Sequence, residues 1–222
     1  MSETDVSHRH HGTPPRQSLS SPRIVNMARW EPGTPERLQT AALELFAAQG
    51  FEQTTAAQIA RSVGLTERTF FRHFSDKREA LFYGQDLFAQ AFLDGVAEAP
   101  PDAAPLDIVA AALRSAATLF PDERRTRSRI RQSVIEQNPA LQERERHKMS
   151  GIATTIADAL RARAITDPAA TLAAESGATV FGIAFTQWLV EGEKRSLADI
   201  TADVLRELRN LSGVPTTSPS VS

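Results

Sequence analysis

The sequence predicts an all-α protein, with a three-helix head carrying a helix-turn-helix followed by a larger helical body. Three observations predict it. Apolar residues recur at three-and-four spacing through the segments between residues 34 and 211. Pro and Gly punctuate those segments at helix-length intervals. Residues 54–77 place two capped helical segments on either side of Gly64, which is the layout of a helix-turn-helix.

The helix-turn-helix is specified residue by residue. Thr55 is an N-cap whose hydroxyl satisfies an orphan amide, and Gln58, three residues on, completes a capping box. The helix that starts near Ala56 turns Ala57, Ile59, Ala60 and Val63 inward, and Gly64 ends it in the left-handed conformation before Leu65 anchors the turn. Thr66 caps a second short helix that sends Phe70 to the core and leaves Glu67, Arg68 and Arg72 outside. These side chains suit DNA. Arg68 can donate twice to a guanine edge, Glu67 can accept from a cytosine amine, and Thr69 can meet a base edge, a thymine methyl or a phosphate. Thr55, Arg72, His73 and Lys77 can hold phosphates, which fixes register without reading sequence. The candidate DNA-contacting set is therefore Thr55, Ala56, Ala57, Thr66, Glu67, Arg68, Thr69, Phe71, Arg72, His73 and Lys77. The plainer alternative is a helical hairpin whose charges form a solvated face or meet another protein.

Net charge argues at first against a nucleic-acid partner, being −2 over 222 residues. Locality removes the objection, because between residues 54 and 78 Arg61, Arg68, Arg72, Lys77 and Arg78 face only Glu67 and Asp76. Cysteine is absent, so there is no disulfide framework, thiolate metal site or cysteine nucleophile. No apolar run approaches the roughly 18 residues needed to span a membrane, and no signal-peptide core is present, so a soluble cytoplasmic protein with no membrane partner is expected. The folded region holds only His73 and His147 and no recognisable catalytic, metal or phosphate-loop motif, so no enzyme, metal or cofactor is expected.

In chain order, residues 1–33 read as a disordered tail. His8, His10 and His11 have no ligand partner at metal spacing, and Arg9, Arg16, Arg23 and Arg29 offer a weakly basic arm for DNA. Residues 34–83 are the head. Its first helix has Thr34 as cap and Pro35 and Glu36 in the first turn, carries Leu38, Ala41, Ala42, Leu45 and Phe46 on one face, and ends at Gly50. Ser75 is expected to cap a fourth helix that runs unbroken to about Ala97 on the stripe Ala80, Leu81, Leu87, Phe88, Ala91, Phe92 and Val96. The body, residues 84–211, continues with helices at 106–119, 122–137, 141–164, from 166 to about 193, and 196–211, and residues 212–222 form a second tail. Arg124, Arg125, Arg127, Arg129 and Arg131 crowd the second of these helices, 122–137. They fit exposed pairs with Asp122, Glu123 and Glu136, or an anion site for a phosphorylated ligand such as an acyl-coenzyme A. Phe88, Phe92, Phe120, Ile130, Val134, Phe181, Phe185 and Trp188 are candidates for an apolar ligand pocket or for ordinary core.

Leu43-Glu44-Leu45-Phe46, Gly50-Phe51, Thr54-Thr55, Ile59-Ala60, Gly64-Leu65, residues 69–74 and Asp76-Lys77 together resemble the N-terminal domain of TetR-family transcriptional regulators. The resemblance implies a homodimer on double-stranded DNA with a palindromic operator, a connecting helix that sets the spacing of the two heads, a dimer interface made by the last two helices, and a body that releases DNA on binding a small molecule. It implies a repressor, with an activator as the alternative. The family more often has Tyr where this chain has Phe71, and that hydroxyl touches a phosphate. Residues 70–72 with 136–144 are similar to an actinobacterial branch that includes mycofactocin-type regulators. Some relatives sense fatty acyl-coenzyme A, which points to a small apolar or acyl-type ligand.

Overall fold

Ten α-helices and one 3-10 turn make up residues 33–213, the part of the chain that the computed structural model describes. The tail residues 1–32, with their histidines and arginine arm, and residues 214–222 lie outside it. The head consists of α1 (Thr34–Gln49), α2 (Ala56–Ser62), α3 (Glu67–His73) and the short α4 (Lys77–Leu81). The body follows as α5 (Gln85–Glu98), α6 (Pro105–Ala117), a 3-10 turn (Asp122–Arg124), α7 (Arg125–Glu136), α8 (Pro139–Ala162), α9 (Ala169–Trp188) and α10 (Leu197–Ser212).

Most helix ends follow from the side chains at them. Thr55 accepts from the Gln58 amide while the Gln58 side chain accepts from the Thr55 amide, so the capping box is complete. Asn138 accepts from the amides of Ala140 and Leu141 to start α8, and Ser196 accepts from that of Asp199 to start α10. Two caps differ from expectation. Gly33, not Thr34, is the N-cap of α1, and Thr34 is already helical. Asp76, not Ser75, caps α4, its carboxylate accepting from the amides of Arg78 and Glu79 at 2.7 and 3.0 Å. A charged acceptor at the positive end of a helix outcompetes a hydroxyl one residue away.

The unbroken fourth helix expected from the apolar stripe is two helices. Phe82 leaves helical geometry with its ring buried, and Gly84 at φ 89° starts α5 afresh. Periodicity persists across the break because both pieces bury one face, so pattern alone could not reveal it.

Two apolar cores result. One is enclosed by α5, α6, α8, α9 and α10, with Phe92, Ile108, Leu113, Ile156, Leu160 and Trp188 almost fully buried. The other fills the head around Leu38, Ile59, Phe70 and Leu81, and it also takes in Val134, Ile135 and Leu141 from the junction of α7 and α8. The head core is thus completed by residues more than fifty positions downstream.

α9 corrects the expectation about apolar runs, because over Ala169–Trp188 it is long and apolar enough, by length and composition, to cross a membrane. One face of it is core: Ala170, Ala173, Ala174, Gly177, Val180, Phe181, Ala184 and Trp188 are buried against α6, α8 and α10.

α5 and α6 approach closely at Gly95, where an added Cβ would lie 2.5 Å from both the Ala111 carbonyl oxygen and the Ala112 Cα. Both are backbone atoms and cannot swing aside. Gly95→Ala is expected to lower unfolding stability by about 1–3 kcal/mol, read as a reduced urea midpoint.

Candidate nucleic-acid interface

The turn between α2 and α3 is closed by backbone bonds. The Leu65 amide donates to the Ala60 carbonyl at 2.8 Å and the Gly64 amide to that of Arg61 at 3.0 Å, with Gly64 at φ 73°. This paired pattern needs a left-handed residue after the helix end, which glycine supplies without strain. Ile59, Ala60 and Phe70 are fully buried and set the angle between the two helices, with Ala56, Val63 and Leu65 packed against them. Ala57 is half-buried and stands outside that packing.

α3 therefore presents a fixed outer surface. Glu67, Arg68, Phe71 and Arg72 are exposed, as is Arg61 on α2. None of Arg61, Glu67, Arg68 and Arg72 bonds to another side chain or carbonyl among the described residues. Phe71 is 51% exposed and braced edge-on against Phe70 at 5.5 Å between ring centres. The Thr66 and Thr69 hydroxyls bond to each other at 2.9 Å, and Thr55 is occupied by its capping box, so these hydroxyls first serve the helix starts.

Two residues expected to hold phosphates are turned inward. The Lys77 ammonium donates to the carbonyls of Phe51, Glu52 and Thr54 at 2.7, 3.2 and 3.1 Å and lies 4.3 Å from the Phe51 ring centre. All three of its donors are spent tying the α1–α2 loop to α4. The His73 Nε2 is buried and meets no hydrogen-bond partner among the described residues, so that nitrogen does not face outward.

In the body, the structure gathers six of the eight candidate pocket residues and separates two. Phe88, Phe92, Phe120, Phe181, Phe185 and Trp188 form one aromatic cluster with centroid separations from 4.9 to 6.2 Å, so the rings fill each other's space. Ile130 and Val134 belong instead to the head core, because they project from the side of α7 that meets α1. A separate open groove of about 1070 Å³ runs along α6 between Pro100, Asp107, Arg114, Thr118 and Arg209 and is lined by none of the eight.

The arginine cluster is structural in a way neither sequence reading anticipated. Arg125, 9% exposed, donates to Asp122 and to the carbonyls of Glu193 and Arg195, with its guanidinium 5.0 Å from the Trp188 ring centre. Arg129 donates to the carbonyls of Leu189 and Val190, both at 2.7 Å. Those carbonyls belong to the C-cap Leu189 and the loop that follows α9, and the guanidinium groups satisfy them where no helical amide can. The helix expected to reach about residue 193 accordingly ends at Trp188. On the opposite side of α7, Arg127 donates to Gln39 on α1 at 2.6 Å, and burial followed by the nearby Arg124 lowers its pKa. Arg131 forms a two-pronged pair with Glu145 at 2.7 and 3.0 Å and donates to the Leu81 carbonyl. Of the three acids expected to pair with the cluster, only Asp122 does so. Sequence offered one clue, since five arginines between two apolar segments exceed the nearby carboxylates and so require carbonyl acceptors.

Comparison with known proteins agrees with this architecture. Residues 38–82 match the family model described as bacterial regulatory proteins, tetR family, and residues 103–212 match the MftR C-terminal domain. The chain is similar to the HTH-type transcriptional regulator TcmR of Streptomyces glaucescens, 42% identical over 82 residues, which is 37% of this chain and 36% of that protein. It is also similar to a protein of Mycobacterium tuberculosis named for mycofactocin biosynthesis regulation, MftR, 34% identical over 122 residues, or 54% of this chain and 61% of that one. The chain thus spans less than two thirds of the length of these curated relatives. Among solved structures, FadR of Bacillus subtilis in complex with stearoyl-CoA has the same fold at a TM-score of 0.56 and 18% identity, covering 78% of this chain and 96% of that one. FadR of Bacillus halodurans does so at 0.51 and 15%, covering 84% and 99%. The helix-turn-helix of the head and the helical body matched along most of its length place this chain in the tetR family of bacterial regulatory proteins.

Proposed function

We propose that the chain is a sequence-specific DNA-binding transcriptional regulator, acting as a homodimeric repressor that a small apolar or acyl-type ligand releases from a palindromic operator. One contrast carries the DNA-binding reading. The arginines of α7 are all engaged with carbonyl or side-chain oxygens of the protein, whereas Arg61, Arg68 and Arg72 on the helix-turn-helix have no protein acceptor among the described residues. Their unused donors suit base edges and phosphates, with α3 lying in the major groove.

The apolar residues left exposed on α9, Leu172 and Ile183, and Val190 just after it support pairing with a second copy through that helix and its end. For release, the aromatic cluster and the head are both held by α7. Arg125 and Arg129 grip the end of α9 beside Trp188, while Arg127, Arg131 and Val134 grip the head. A ligand that parts the rings favours a different placement of α7, and DNA affinity falls by the ratio of ligand affinities for the two arrangements. The exposed Phe71 favours one second reading, in which α3 meets a protein.

Selection of bound sequences from a random duplex library separates the two. DNA readout gives a palindromic consensus, and protein contact gives no enrichment. In the same assay Arg68→Ala is expected to relax one position in each half-site, at a cost of about 1–3 kcal/mol. Arg72→Ala should weaken all sequences evenly and reduce the slope of log affinity against log salt by about 1. Lys77→Met should leave that slope unchanged while lowering the melting temperature, because its donors are internal. Ile183→Asp is expected to convert a dimer to monomer by light scattering, with unchanged helicity.

A further inference from the structure

The sequence has twenty-two arginines and three lysines, Lys77, Lys148 and Lys194. Lys77 is bound at all three donors. Lys194 is exposed. Lys148, on α8, is half-buried at the break between α4 and α5, with its ammonium 4.9 Å from the centre of the buried Phe82 ring.

Two guanidinium groups share that ring, Arg131 at 5.1 Å and Arg144 at 5.8 Å. Each has its own carboxylate, Glu145 for Arg131 and Glu79 for Arg144. Lys148 has no carboxylate within ion-pair distance and no hydrogen-bond acceptor among the described residues. It is the third cation on one ring, partly desolvated and unpaired. Such an amine gives up its proton more readily than a solvated lysine, and once neutral it is a nucleophile.

We propose that Lys148 is an acylation site that takes an acyl group from an acyl phosphate. The neutral ε-amine attacks the carbonyl carbon, a C–N amide bond forms, and the C–O bond to phosphate breaks. Phosphate leaves with the electron pair, and the surplus amine proton passes to water. Arg131 and Arg144 are each charge-paired, but Arg131 spends only three of its five N–H donors on Glu145 and Leu81 and Arg144 is paired through one nitrogen to Glu79, so donors remain beside this amine that can bond the phosphate of an acyl donor. The direction of its titration agrees. Burial, then Arg144, lower the Lys148 pKa most; Glu145 opposes them, and the weaker influences of Arg131 downward and Asp86 upward follow, leaving the net direction down, with Glu79 paired to Arg144.

The test uses the full-length protein and acetyl phosphate, with acetylation at each of the three lysines followed over time by peptide mass spectrometry at several pH values between 7 and 9. Lys148 is expected to be acetylated more than about twofold faster than Lys194, and Lys77 slowest of all. The Lys148 rate should also level off at a lower pH than the Lys194 rate. Asp86→Asn, a change at an exposed residue that removes an opposing negative charge, should raise the Lys148 rate further. An uncharged N-hydroxysuccinimide ester serves as a second donor and reports accessibility alone, so the preference for Lys148 should be smaller with it. If Lys148 is acetylated no faster than Lys194 by acetyl phosphate, the proposal is wrong. The same holds if its preference is equal with both donors, since the cation cluster would then contribute nothing.

Discussion

A helix with two committed faces cannot move without disturbing both things it touches, and α7 is such a helix. Its Val134 and Ile135 complete the head core, and Arg127 and Arg131 reach Gln39, Leu81 and Glu145 on that side. Its Arg125 and Arg129 hold the carbonyls that follow α9 on the other. Most of these contacts are hydrogen bonds from charged donors in partly dry surroundings, where removing one partner leaves a buried group unmatched. The placement of the head on the body depends on them.

The same residue type does opposite things in two places. On α7, arginine is chosen for its planar fork, which reaches several carbonyl acceptors at once and stays charged when buried. On α2 and α3, the exposed Arg61, Arg68 and Arg72 have no protein acceptor among the described residues, so their donors are unused there. A single count of basic residues obscures this difference, which is why net charge says so little about the proposed reading surface.

Aromatic residues show a related division. Six rings pack into one cluster around Phe181, and two further apolar residues proposed for the same cavity, Ile130 and Val134, lie in the other core. Ile130 and Val134, ten and fourteen positions after Phe120 in the chain, face away from it because α7 turns them toward α1. Periodicity identifies a buried face but not which neighbour buries it.

Sequence alone determined the features that depend on a few adjacent residues. The capping box at Thr55, the left-handed turn at Gly64, the burial of Phe70 and the exposure of Arg68 and Arg72 all follow from local backbone and side-chain rules, so they were legible in order along the chain. Tertiary structure decided whatever required a distant acceptor. Lys77 turned to three loop carbonyls, the α7 arginines turned to carbonyls and side chains up to 88 residues away in sequence, and the fourth helix broke so that Phe82 could be buried beneath side chains of α7 and α8. A charged side chain on a long stem goes to the best unsatisfied oxygen within reach, and only the folded chain fixes which oxygen that is.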